Sequence, residues 1–171
     1  AVTVTLSTTA AAPWAGTIDR PATCTVIDAP APTVPFGPGA GPPGRGEQLA
    51  RHDLDLSEPQ EGDVVVDVEW SGISTGTERL LYTGAMPMFP GMGYPLVPGY
   101  ESVGRVTEAG PNSGHHVGER VFVPGARCFG EVRGLFGGAA SRLVVPGQRV
   151  FKVSDELGES AVLLALAATA Y

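Results

Sequence analysis

Hydroxyl-bearing side chains crowd one short stretch of this chain: "WSGISTGTE", Trp70 to Glu78, carries Ser74, Thr75 and Thr77. Further on, "PLVPGYESVGRV" sets a phenol and a carboxylate side by side at Tyr100 and Glu101. Such groups donate and accept hydrogen bonds and can relay a proton, with a carboxylate as an acceptor. They suit metal ligation badly, because a serine hydroxyl is a weak donor beside a thiolate and tyrosine ionises only near pH ~10. The plain alternative is that each hydroxyl bonds the backbone of its own turn. For Glu101 the plain alternative is a salt bridge with Arg105 or Arg79.

A second group is apolar. "MPMFPGMGYPLVPGYE" holds Met86, Met88, Phe89, Met92 and Tyr94 on a backbone that its glycines and prolines fix tightly. These residues read equally well as a packed core loop and as one wall of a pocket for a large, flat, apolar ligand.

Other candidates fail on context. "GAGPPG", Gly39 to Gly44, fits the GxGxxG spacing, but Pro42 and Pro43 remove two amide donors and no convincing helix follows. It reads as a flexible loop. Asp67 and Glu69 fall on the polar side of a strand, where a solvated face explains them. His115 and His116 lie in a turn without a ligand-spaced partner and read as a surface loop; His52 stands alone. Cys24 and Cys128 make neither a disulfide framework nor a CxxC pair, so they read as free thiols in a reducing cytoplasm.

The elements that must position these groups are short strands. "TCTVIDAP" opens the series, and "LARHDLDLSEP" alternates so that Leu54 and Leu56 share a face. In "EGDVVVDVEW", alternation places Val66, Val68 and Trp70 on one face and Val65, Asp67 and Glu69 on the other. "ESVGRVTEA", "ERVFVP" and "ASRLVVPGQRVFKV" follow, each punctuated by Gly or Pro. Strands so short and close predict a compact, mainly β barrel or sandwich. The end differs: Ser154 can cap a helix, Asp155 and Glu156 suit its first turn, and "LGESAVLLALAATAY" continues it. That helix is apolar nearly all round and calls for burial against something large, so the chain looks cut at a domain junction. Residues 1–22 read as a poorly ordered extension and residues 30–48 as a Pro/Gly-rich loop.

The 171 residues suffice for one domain with a real core. The 24 glycines and 16 prolines favour strands and turns over a helical bundle. With 11 Lys+Arg against 18 Asp+Glu, a net charge of −7 and no basic cluster, nucleic-acid binding is excluded as a reading. No apolar run reaches the ~20 residues of a membrane span, and no secretory signal is present, which predicts a cytoplasmic protein. Peripheral contact with a membrane stays open.

The run "GDVVVDVEWSGISTGTE…YPLVPGYESVGRVTEAG…VGERVFVPG…GGAASRLVVP…VFKV" resembles the catalytic, GroES-like half of the medium-chain dehydrogenases/reductases, over about Leu49 to Tyr171. The resemblance implies a GroES-like partly open barrel over 23–153, with 154–171 starting a helix that leads to a nucleotide-binding Rossmann domain not present in this sequence. In that superfamily the first block often reads G-[VI]-C-x-[ST]-D and the second P-G-H-E, whose Cys and His bind the catalytic zinc. Ser74 and Tyr100 occupy those positions, no third ligand is offered by "AVLLALAATA", and Cys128 stands alone where a four-cysteine lobe would be. No metal is expected. "WSGISTGTERLLYTG" with "MPMFPGMGYPLVPGYESVGRV" is more narrowly similar to the bacteriochlorophyllide dehydrogenases of bacteriochlorophyll synthesis.

That narrower resemblance implies oxidation of the 3-(1-hydroxyethyl) group of a bacteriochlorin to 3-acetyl, with NAD as hydride acceptor. It implies a tetrapyrrole substrate lying on Met86, Met88, Phe89, Met92 and Tyr94, and a homo-oligomer at full length. Thr75 and Thr77 fall where the superfamily keeps a relay Ser/Thr, with Ser74 beside them and Tyr100 in the histidine's place. Glu101, matching the glutamate of "GHE", would orient the site or accept a proton. The cofactor-binding residues belong to the absent half. Two other readings remain: a zinc-free quinone or enoyl reductase with Tyr100 as proton donor, and a non-catalytic tetrapyrrole-binding module.

Overall fold

The computed structural model describes residues 22–27 and 49–171. The expected extension, apart from Ala22, and the Pro/Gly loop with its "GAGPPG" lie outside them. The chain is mainly β, as expected, in two open sheets. β1 (Ala22–Ile27), β2 (Leu49–Leu54), β4 (Leu96–Val97) and β7 (Arg133–Gly134) form one, in the order β2-β1-β4-β7. β3 (Asp63–Ser71), β5 (Ser102–Ala109), β6 (Arg120–Val123), β8 (Arg142–Pro146) and β9 (Phe151–Lys152) form the other, in the order β8-β3-β5-β6-β9. A bridge between Cys24 and Ala140 joins β1 to the run leading into β8.

One core fills the space between the sheets. Ala22, Cys24 and Val26 of β1 pack in the same cluster as Val64 to Val66, Val106, Val121, Val123 and Leu143 to Val145. Each fully buried valine or leucine there contributes about 1.5–3 kcal/mol relative to exposure. Both cysteines are free and buried in it. Burial pushes their thiols up, to about 12 for Cys24 and about 11 for Cys128, so neither is a poised nucleophile.

β3 departs from simple alternation. It pairs with β8 on one side and β5 on the other, and Val64, Val65 and Val66 are all buried, because both faces are covered there. Its ladder with β5 shifts register between Val65 and Val66 and again between Val68 and Trp70. Simple alternation does not carry through these shifts: Val66 is buried, whereas Trp70 stands 52% exposed.

The expected terminal helix is two pieces. Ser154 caps as predicted, its Oγ accepting from the amide of Glu156 at 3.2 Å. A 3-10 segment over Asp155–Leu163 is broken at Gly158, with φ 50° and ψ −142°, before α2 (Leu164–Ala170) begins. Arg120 fastens this break to β6, donating to the carbonyls of Gly158 at 2.8 Å and Ser154 at 3.3 Å. Ala161 packs on Val103 and Phe122, whereas α2 buries no residue of its own. Among the described residues no helix is long and apolar enough to cross a membrane.

Candidate active site

Between β3 and β4 the chain folds a short helix that the strand pattern does not announce, α1 (Thr77–Thr83). Its start rests on backbone bonds, the amide of Glu78 to the carbonyl of Ser74 at 3.0 Å, with no side-chain cap. Its end follows a familiar rule: Gly84 takes φ 70° and sends its amide back to the carbonyls of Leu80 and Leu81. Leu81 anchors the helix in a second apolar cluster with Ile27, Leu96 and Leu135. The helix thereby holds the hydroxyl turn against the loop before β5, where Tyr100 and Glu101 lie.

The predicted residues meet there. Tyr100 Oη donates to Ser74 Oγ at 2.6 Å, and Thr77 Oγ1 is 3.5 Å from the same phenol. The ring of Phe136 stands edge-on to Tyr100, with centroids 5.6 Å apart at 89°. Ser74, Thr77 and Tyr100 are half-buried, whereas Thr75 is exposed and joins no side-chain bond in this group. Of the two threonines, Thr77 is the one brought to the cluster.

Two buried carboxylates follow the hydroxyl residues directly in sequence, Glu78 after Thr77 and Glu101 after Tyr100. Glu101 is 4% exposed, and its Oε1 is buried without a hydrogen-bond partner. It makes no salt bridge; Arg105 pairs instead with Glu69 and Asp155. Gly72 leaves room for it, since a Cβ there would come within 2.4 Å of Glu101 Oε2. The second carboxylate, Glu78, is 9% exposed and accepts from the Ser74 amide. Burial first, and the charge of Glu101 as well, push Glu78 above the usual carboxylate range against the lowering effect of that amide. Sequence reasoning passed over Glu78. "RLLYTG", with glycine closing an apolar run, was the available signal for a helix that would turn it inward.

The Met-rich run divides. Met86, Met92 and Tyr94 pack on the Leu81 cluster, and Tyr94 Oη donates to the carbonyl of Leu81 at 2.6 Å. Met88, at 81% exposed, and Phe89, at 37%, face outward. Away from this region, Asp67 pairs with Arg142 and Glu69 with Arg120 and Arg105, so both acids serve ion pairs rather than a bare solvated face. His115 is not a free surface residue either: its ring bonds Glu119 at 2.9 Å and the Gly147 carbonyl at 3.0 Å.

The sequence profile of the alcohol dehydrogenase GroES-like domain matches residues 60–155, more than half of the chain. This chain belongs to the alcohol dehydrogenase GroES-like domain family. Among curated relatives, the chain is 56% identical over 127 residues to a protein of Cereibacter sphaeroides named 2-desacetyl-2-hydroxyethyl bacteriochlorophyllide A dehydrogenase, covering 71% of this chain and 40% of that one. A Rhodobacter capsulatus protein of the same name is 59% identical over 116 residues, covering 67% and 37%. The chain thus spans about two fifths of the length of these relatives. Among solved structures, a short chain alcohol dehydrogenase from E. coli CFT073 complexed with NADH superposes with a TM-score of 0.59 at 23% identity, over 85% of this chain and 42% of that one. A quinone oxidoreductase of Pseudomonas syringae gives 0.56 at 22%, over 82% and 36%. Those two likenesses speak to the fold alone.

The GroES-like domain raises the question of zinc, and the donors here do not fit it. A catalytic zinc takes three protein ligands from thiolate, imidazole and carboxylate groups. The two positions nearest that role hold hydroxyls already bonded to each other, and one carboxylate oxygen, Glu101 Oε1, is left without a partner. Among the described residues no group of three or more His, Cys, Asp or Glu side chains is placed to hold a metal ion. What this GroES-like domain does hold together is a group of three hydroxyls, with the backbone amide of Ser74 held by the buried carboxylate of Glu78.

Proposed function

We propose that this chain is the catalytic domain of an oxidoreductase that oxidises the 3-(1-hydroxyethyl) group of a bacteriochlorophyllide to 3-acetyl, without zinc. The observation that carries the reading is the 56–59% identity to two proteins named for that substrate, over segments that cover the hydroxyl cluster's neighbourhood. In this reading residues 23–153 are the catalytic domain, and 154–171 begin the connection to a nucleotide-binding half. The partner is a tetrapyrrole lying on the Met-rich run, with Met88 and Phe89 as its contact residues and Met86, Met92 and Tyr94 as their support.

When bound to the full-length protein, NAD would supply the hydride acceptor for the carbinol carbon. This chain's residues take the proton. The substrate hydroxyl bonds into the Ser74–Tyr100–Thr77 cluster, which orients it and passes its proton on as the carbonyl forms. Without a metal to acidify the alcohol, that oriented acceptor chain is what lowers the barrier, on the scale of general base catalysis, about 10²–10⁴-fold. Glu101 orients the cluster or receives the proton.

The test is direct. The full-length polypeptide is incubated with the 3-(1-hydroxyethyl) bacteriochlorophyllide and NAD, and the 3-acetyl pigment and NADH are quantified together. One NADH per acetyl product supports the reading. Turnover of quinones with NADPH and none of the pigment would replace it with the reductase reading. Tight pigment binding with no turnover under excess NAD would leave a binding module.

A further inference from the structure

Two buried carboxylates flank the hydroxyl cluster in sequence, Glu78 next to Thr77 and Glu101 next to Tyr100, and their surroundings differ. Glu78 is engaged: its Oε2 accepts from the backbone amide of Ser74, the residue whose hydroxyl takes the Tyr100 bond. Glu101 is not. Its Oε2 is packed against Gly72, and its Oε1 is buried with no donor among the described residues. A buried carboxylate oxygen left without a donor is costly and persists where something outside the resting structure supplies one. The main-chain bond from the Gly72 amide to the Glu101 carbonyl, at 2.8 Å, fixes the residue's place. Among the described residues neither carboxylate is in a salt bridge, and Arg79, which follows Glu78 on α1, is exposed.

We propose that Glu101 Oε1 accepts the substrate's hydroxyl proton, and that Glu78 is a positioning residue holding the Ser74–Tyr100 pair beside it. The proposal rests on the dehydrogenase reading. In the step, the substrate O–H bond breaks and an O–H bond forms on Glu101. The electron pair of the carbinol C–H bond leaves as hydride to the nicotinamide, and the carbonyl closes. Burial and the neighbouring charge raise Glu78, so it resists a second negative charge next to Glu101, which keeps the two roles apart.

The test uses the full-length protein with Glu101→Gln, Glu78→Ala and Glu78→Gln. Glu101→Gln should lower kcat about 100-fold or more with little change in KM. Glu78→Ala should lower kcat about 10-fold, and Glu78→Gln, which keeps an acceptor for the Ser74 amide, should recover most of that loss. Glu101→Gln with wild-type kcat would overturn the acceptor assignment. Glu78→Gln as impaired as Glu78→Ala would overturn the positioning role. The NMR shift of the Ser74 amide proton gives a readout free of substrate: strongly downfield in the wild type, lost in Glu78→Ala and kept in Glu78→Gln. If wild-type protein does not oxidise the pigment, the dehydrogenase reading and the acceptor role fall together, and the Ser74 amide still decides Glu78.

Discussion

The phenol of Tyr100 donates to the hydroxyl of Ser74 over 2.6 Å, closing a gap of twenty-six residues in sequence. Tyr100→Phe removes that bond while keeping the ring that stands against Phe136. The expected outcome is a drop in kcat of about 10-fold, equivalent to about 1.4 kcal/mol of transition-state stabilisation, with the melting temperature nearly unchanged. Steady-state kinetics beside calorimetry on the same samples would check it. A large fall in melting temperature would mean that the bond serves the fold instead.

Gly72 is a spatial requirement. A Cβ there would lie 2.4 Å from Glu101 Oε2 and 2.9 Å from Glu101 Cβ, so Gly72→Ala must push the carboxylate out of its seat. A cost of about 1–3 kcal/mol is expected, as for other overpacked sites, together with loss of turnover. Urea unfolding gives the first number. Activity equal to wild type would show that Glu101 need not sit where it does.

Glu119 sets a pH dependence whose sign can be worked out. Lys152 first, with help from His115, holds its carboxylate down to about 2 in the folded chain, against an unfolded value of about 4.3. A depressed folded value means that the unfolded state binds the proton more readily. The contribution is therefore full above the unfolded value and lost as pH falls from about 4.3 towards 2. Glu119→Gln should be less stable than wild type at neutral pH, and that gap should close across this acid window. A gap independent of pH would contradict the ion-pair explanation.

Arg120 is buried, and its guanidinium is shared between Glu69, at 2.8 Å, and the carbonyls of Ser154 and Gly158. Arg120→Ala leaves the two carbonyls unpaired and Glu69 with Arg105 alone, and should cost about 1–3 kcal/mol. Hydrogen exchange should show the loss concentrated in Asp155–Leu163, the segment that Arg120 fastens to β6. Uniform loosening of both sheets would argue that Arg120 acts on the core.

The strands were legible because their signal is local: valine runs cut by glycine and proline. Register was not. Val65 is buried and Trp70 exposed because bulges on β3 answer to its partner β5, and no pattern within residues 63–71 encodes a partner's spacing. The hydroxyls of Ser74, Thr77 and Tyr100 could be singled out by residue type and position. That Thr77 joins the cluster and Thr75 does not depends on where α1 begins, and α1 begins on backbone bonds that leave no mark in the sequence. The sequence reads as one helix running through Gly158. That glycine is where the helix divides, since its φ of 50° suits a residue without Cβ.

The bond from Tyr94 to the carbonyl of Leu81 ties the Met-rich run to the helix that carries Glu78. The base of the run is thus committed: reshaping Met86, Met92 or Tyr94 also reshapes the helix and the hydroxyl turn before it. Its tip is under no such obligation, since Met88 and Phe89 face solvent. If the proposed pigment is the ligand, variants suited to different ring substituents have two positions to explore at little cost to folding. Directed evolution of this domain would do well to randomise 88 and 89 and leave the base of the run alone.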